Sequence, residues 1–217
     1  MTAAMTAPHP ILSDHVGFFG KIPSRGDFVR AGLPRAFTDP WDDWLSHAIA
    51  GSRTLLGAAW LPAWMEAPIW HFTLPPGQCG TAAVLGLWMP SIDAAGRHFP
   101  LTLARIGTLP PNPADWLAAA EAIGLEALQD DLAPDDLIRR LADTAQPNPN
   151  EPALNEVAPN NTIAHWWTEG SPFVPATSLA LSALPDAETF AAMLHAAPPG
   201  EMADQPDIPP GAGGVRE

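Results

Sequence analysis

An α/β sandwich is the fold class that three features of this sequence predict. Helical periodicities alternate with β-type runs, one adjacent pair of runs is joined by a tight hairpin, and apolar residues make up 47% of the 217 residues. Interleaved strands and helices lay helices over a sheet, and the hairpin puts an antiparallel pair into it. The expected architecture is therefore a three-layer sandwich: a mixed β-sheet with a prominent antiparallel hairpin and helices on both faces. The expected boundaries are a flexible N-terminus over residues 1–14, one α/β domain over 15–197 and a disordered acidic, proline-rich tail over 198–217.

The elements follow in order. Residues 16–22 (VGFFGKI) form a short β-type run that Pro23 ends, and Ser24-Arg25-Gly26-Asp27 reads as a turn. The first helix takes Asp39 as its cap and Pro40 as its first residue, with Asp42 and Asp43 against the positive end of its dipole. Trp41, Trp44, Leu45, Ala48 and Ile49 share one face of it, and Gly51 stands near its end. Residues 67–74 read as a strand closed by Pro75-Pro76-Gly77. Residues 82–89 (AAVLGLWM) are a fully apolar strand, 90–96 a hairpin tip and 97–106 the returning strand. Within the tip, Asp93 is placed to bond its own following backbone and Gly96 to take a positive φ. Phe99, Leu101 and Leu103 alternate with Pro100, Thr102 and Ala104, which predicts one buried face.

A second helix starts at Asn112 and Pro113, with Trp116, Leu117, Ala120, Ile123, Ala127 and Leu128 on its apolar face. A shorter one opens at Pro134 and runs through Leu137, Ile138 and Leu141. Residues 143–161, rich in Pro and Asn and without periodicity, read as an exposed loop. Two further strands are expected at 162–167 and 177–184, before Pro185-Asp186 caps a last helix through Phe190, Met193 and Leu194.

Composition narrows the function. The net charge of −14 arises wholly in residues 111–217, which hold three basic and seventeen acidic residues, whereas residues 1–110 balance at seven of each. An acidic half repels phosphate, which argues against nucleic acid as a partner. Cys79 is the single cysteine, so no intrachain disulfide forms and the residue reads as a small packed side chain. The start of the chain lacks the basic and apolar pattern of a signal peptide. The longest apolar run, 55–65, is broken by Pro62 and is too short for a bilayer. A cytoplasmic location with no membrane insertion is the expectation. Nine tryptophans supply large apolar areas, each with one N–H to satisfy, at core edges or contact surfaces.

Each candidate for chemistry meets a structural explanation. Gly17-Phe18-Phe19-Gly20-Lys21 has two residues between its glycines and Ile22-Pro23 after the lysine, so it cannot cradle phosphate as a P-loop does. His9, His15, His47, His71, His98, His165 and His195 stand singly, with no paired metal-ligand spacing, so neither metal nor cofactor is expected. Ser91, Asp93 and His98 form a nucleophile–acid–base trio on paper, but a hairpin tip rarely supplies the rigidity and oxyanion site that a serine nucleophile needs. Residues 24–30 (SRGDFVR) join exposed charges to apolar anchors. Arg25 and Asp27 could lock this loop while Phe28 plugs the core, or the loop could present a contact surface.

These stretches resemble the TagF (ImpM) family of bacterial type VI secretion. Residues 17–29 (GFFGKIPSRGDFV) look like the family's opening signature, followed by 40–45 (PWDDWL) and 67–70 (APIW). Residues 89–93 (MPSID) and 96–101 (GRHFPL) are similar to its second signature, and 166–168 (WWT) with Leu184-Pro185 to its C-terminal piece. The resemblance implies a three-layer α/β domain and a cytoplasmic, post-translational repressor acting with a forkhead-associated-domain scaffold protein. Some relatives carry a fused PP2C-type phosphatase domain, for which this chain is too short. The expectation is thus a non-catalytic regulator that works by protein binding. The alternatives are a positive assembly factor of the same machine and a hydrolase using Ser91, Asp93 and His98. The expected contact residues are Ser24, Arg25 and Asp27 of the first loop and Ser91, Asp93 and Arg97 of the hairpin tip.

Overall fold

The computed structural model describes residues 14–110, 112–130, 132–144 and 162–196. The expected flexible N-terminus up to residue 13, the loop from 145 to 161 and the tail from 198 lie outside the described residues. Strands β1 (His15–Gly20), β2 (Val29–Ala31), β3 (Trp70–Leu74), β4 (Val84–Met89), β5 (Leu101–Ile106), β6 (Ala164–Thr168) and β7 (Thr177–Leu181) join in one sheet. The helices are α1 (Arg35–Leu56), α2 (Trp60–Met65), α3 (Pro113–Gln129), α4 (Pro134–Thr144) and α5 (Ala187–Leu194).

The sheet order is β2-β1-β5-β4-β3-β6-β7. At its centre β3, β4 and β5 form a meander, with Trp70 opposite Trp88 and Leu87 opposite Leu103. β1 and β6 add to either side of it, and every ladder between these strands is antiparallel. The predicted α/β sandwich with its antiparallel hairpin is therefore present, but the sheet is antiparallel throughout and not mixed, because consecutive strands of the meander and the strands added to it all pair antiparallel.

Side chains of a strand point alternately to opposite faces, and here both faces are covered. Trp70, Phe72, Val84, Trp88, Ala104 and Trp166 pack with Phe37, Trp41, Leu45, Trp64 and Phe190 of α1, α2 and α5. Leu85, Leu87, Met89, Leu101 and Leu103 pack on the other side with Trp116, Leu117, Ala120, Leu137 and Leu141 of α3 and α4. This explains why β4 is apolar at every position, and it corrects the one-face expectation for β5. Thr102 and Ala104 are as buried as Leu101 and Leu103, and the Thr102 hydroxyl accepts the Trp41 indole N–H at 2.9 Å. Trp41 lies at the middle of an aromatic cluster, with Phe37, Trp44 and Phe72 at 4.6–5.3 Å between ring centroids.

Helix α1 starts before the position that capping rules pick. Its N-cap is Pro34, Pro40 lies inside it, and Asp39 is not a cap. An internal proline removes one backbone hydrogen bond, but the extra turn buries Phe37 and Thr38. Burial there outweighs the lost bond. Cys79 packs under the same turn, its thiol pointing at the Phe37 carbonyl at 3.6 Å, and burial pushes that thiol up to about 12. At the other end of the chain Asp186 caps α5 as expected, accepting the Thr189 N–H at 2.8 Å.

Gly51 sits within α1, where α5 crosses it. A Cβ at this position would lie 2.4 Å from the Ala187 Cβ, so glycine sets how closely the two helices approach. Gly51→Ala raises helix propensity by about 1 kcal/mol, yet overpacking is expected to leave a net loss of about 1–2 kcal/mol. Urea unfolding measures it, and adding Ala187→Gly should restore most of the loss. A gain in stability for Gly51→Ala alone would show that α5 is free to move outward.

Candidate functional site

At one end of the sheet the chain leaves β1, turns through residues 21–28, and comes against the tip between β4 and β5. Glycine makes this approach possible: a Cβ on Gly20 would stand 2.0 Å from the Pro100 carbonyl oxygen, and one on Gly17 2.0 Å from that of Ala31. The glycines of the first motif thus serve strand contact, and the lysine after them turns inward.

Lys21, the only lysine in the sequence, donates to Asp93 at 2.7 Å, with side-chain exposures of 5% and 0%. The Asp93 carboxylate has four donors. Lys21 Nζ and Arg97 Nε each reach Oδ2 at 2.7 Å, and the backbone N–H groups of Ala95 and Arg97 reach Oδ1 at 2.9 and 2.8 Å. Burial alone would raise the pKa of this carboxyl. The Lys21 hydrogen bond, then those from the Arg97 backbone, the Arg97 side chain and the Ala95 backbone, overcome it and hold the group well below the usual carboxylate range. The Asp93-to-backbone turn and the positive φ of Gly96, +79°, are as the sequence predicts.

Further bonds tie loop to tip. The Ala94 N–H donates to the Arg25 carbonyl at 2.9 Å, the Ser91 hydroxyl to the Lys21 carbonyl at 2.8 Å, and Arg97 Nη2 to the Gly26 carbonyl. Phe28 closes the junction, stacked on Phe19 at 5.4 Å and edge-on to Phe99 at 4.7 Å, with Lys21 Nζ 5.0 Å from its ring centre. Helix α2 supports the tip from one side. The Trp64 indole donates to the Ser91 carbonyl at 3.2 Å, and His98 stands edge-on to Trp60 and Trp64 at 5.3 and 6.1 Å.

All six expected contact residues meet here, in different roles. Arg25 and Asp27 are exposed, Ser24 is half-buried and Arg97 keeps 56% of its side chain in solvent. Ser91 and Asp93 are buried, so they support from beneath the surface that the other four present. The loop is locked mainly by Lys21, Asp93 and Arg97, with Asp27 adding a longer, exposed ion pair to Arg97 at 3.8 Å. The Arg25 side chain donates to the adjacent Ser24 carbonyl, and Phe28 is 45% exposed, so it covers the core without filling it. Lys21 is the site residue whose role motif reading passed over. A single lysine inside an apolar run is the signal that marks it.

The Ser91, Asp93 and His98 trio is not linked. Ser91 gives its proton to a backbone carbonyl, Asp93 is filled by Lys21 and Arg97, and the His98 ring packs against two indoles. Burial, then the nearby Arg53 charge, holds His98 below its usual pKa. These side chains do not make a nucleophile–base pair.

The exterior of this end is apolar. Phe28, Leu55, Leu61 and Met65 are the exposed large apolar side chains among the described residues. They lie on the loop, on the last turn of α1 and on α2. A notch of about 130 Å³ lined by Pro23, Trp64, Met65, Pro90, Ser91, Ile92 and Leu128 opens between α2 and the tip.

Residues 17–144, more than half the chain and inclusive of both motifs, match the TagF N-terminal domain, type VI secretion system-associated. The chain belongs to the TagF family. The crystal structure of PA0076 from Pseudomonas aeruginosa PAO1 is similar to it over 93% of this chain and 100% of that one, at 30% identity and a TM-score of 0.72. No curated protein matches. The TagF assignment makes this a type VI secretion-associated protein, and no helix among the described residues is long and apolar enough to cross a membrane.

Two acid-sensitive groups at the tip predict a pH profile. Both Asp93 and His98 have folded-state pKa values below their unfolded ones, so each contributes stability that is present above its unfolded pKa and lost on acidification. Melting temperature should fall first below about pH 6.5, from His98, and again below about pH 4, from Asp93. His98→Gln should flatten the first step. Asp93→Asn should flatten the second and lower the melting temperature at pH 7 by roughly 10 °C, because Lys21 is left buried against a neutral amide. An unchanged acid profile in Asp93→Asn would remove the pair from its structural role.

Proposed function

We propose that this TagF-family protein is a non-catalytic, post-translational repressor of type VI secretion. It acts in the cytoplasm by binding a protein of that machine, the forkhead-associated-domain scaffold being the expected partner. The observation that carries the binding reading is that two exposed large apolar side chains, Phe28 on the loop and Met65 beside the notch, stand at the end of the sheet that the two family motifs build. Such residues on a rigid base, rimmed by Arg25, Asp27 and Arg97, have the anatomy of a protein contact surface. Leu61 and Met65 are four residues apart on α2 and so share one helix face, beside the notch. Repression as the sign of the effect comes from the family resemblance.

Deleting the gene should raise secretion of the tube protein, and overproduction should suppress it. Lower secretion on deletion would instead make the protein an assembly factor, and no response to either change would overturn a role in secretion control. The Leu61→Asp, Met65→Asp variant separates surface from fold. It should keep the melting temperature within a few degrees of the parent, weaken partner capture by roughly tenfold or more, and raise secretion as the deletion does. Full control by this variant would place the contact elsewhere.

A further inference from the structure

A second cleft lies on the α1 side of the same tip. Ser46, Ile49, Ala50 and Arg53, spaced three and four apart, form one ridge of α1, and His98 with Phe99 forms the opposite wall of a space of about 410 Å³. Its floor is apolar and its single permanent charge is Arg53.

Arg53 is held ready for an anion. Its guanidinium lies 4.2 Å from the centre of the Trp60 ring, and that indole is fixed by its own N–H bond to the Ser52 hydroxyl at 2.9 Å. Stacking on an aromatic face orients the planar fork and leaves its edge free for a carboxylate. Among the described residues, no carboxylate forms an ion pair with Arg53. Two other cations of this end, Lys21 and Arg97, are both committed to Asp93, and the Arg25 side chain bonds the Ser24 carbonyl. The carboxylates of α1 itself, Asp39, Asp42 and Asp43, stand ten or more residues away along the helix, about 15 Å or more. Phe99 continues into the exposed ring of Phe28 at 4.7 Å, so the cleft opens onto the apolar strip of the loop.

We propose that this cleft seats an acidic side chain of a protein partner, its carboxylate on Arg53 and an apolar neighbour of the same segment on Ile49 and Phe99. The charge selects the acid, and the open apolar walls select a polypeptide segment. This inference rests on the protein-binding reading above and adds the chemistry of what is bound.

The test uses the purified full chain and short blocked peptides with a Leu-Glu-Leu core, read by NMR at the Arg53 Nε–H and the Trp60 indole N–H. Shifts at both signals are expected, with a Kd about fivefold tighter than for the matching Leu-Gln-Leu peptide, a difference that narrows as salt is raised. Arg53→Gln, an exposed substitution, should bring the two affinities together, and Arg53→Lys should keep part of the difference. Equal binding of the Glu and Gln peptides, or shifts confined to other residues, would overturn the proposal. Tenfold tighter binding of the phosphoserine counterpart would also overturn it, by reassigning the cleft to a phosphopeptide. The deletion phenotype is read in cells without these peptides, so either reading can fail while the other stands.

Discussion

A lysine and an aspartate 72 residues apart, both out of water, set the geometry of the end that the two family motifs build. Taking the two charges into the interior is unfavourable, and their mutual attraction offsets that only where further hydrogen bonds fill the remaining positions. Asp93 meets the condition with Arg97 and two backbone N–H groups. The pair therefore acts as a registration peg. Lys21 cannot leave without taking a buried charge from its partner, and with Lys21 fixed, the carbonyls of Lys21, Arg25 and Gly26 are placed to take bonds from the tip. The aromatic contacts of Phe28 follow from that placement.

The sheet beneath is built so that this end is left uncovered. Helices cover both faces, and three indole N–H groups of the core find partners across it: Trp41 with Thr102, Trp44 with the Pro185 carbonyl, Trp70 with the Met193 carbonyl, whereas those of Trp88, Trp116 and Trp166 have none among the described residues. With both faces closed, the apolar surface that remains is at the ends of strands and on the short α2. Trp60 and Trp64 belong at once to the core and to the supports of the tip. A change in core packing there is transmitted to the contact surface directly.

Much of the fold was legible because local signals and burial agreed. The 82–89 run is apolar at every position since both faces of β4 are buried, and Asp186 could be read as a cap from its place before a periodic segment. Where they disagreed, tertiary packing prevailed. Capping rules put the start of α1 at Pro40, where a missing N–H costs nothing, but burial of Phe37 extends the helix back to Arg35. β2, three residues long, has no periodicity of its own and exists through its ladder with β1. At the site, the two motifs were visible and their union was not. Sequence marks Arg25 and Asp27 as charged turn residues, whereas only three-dimensional placement shows that Asp93 is filled from within and that Lys21 fills it. Arg53 carried no motif signal, since its role comes from stacking on Trp60.

The distance along the chain between Lys21 and Asp93 also governs when the surface comes into being. Contacts between remote segments form late, after the entropy of closing the intervening loop has been overcome. During synthesis the first motif emerges, waits while α1, α2, β3 and β4 are made, and acquires its partner only when residue 97 is available. A nascent or truncated chain therefore displays the loop without the tip. Completion of this end of the sheet and completion of the fold become one event.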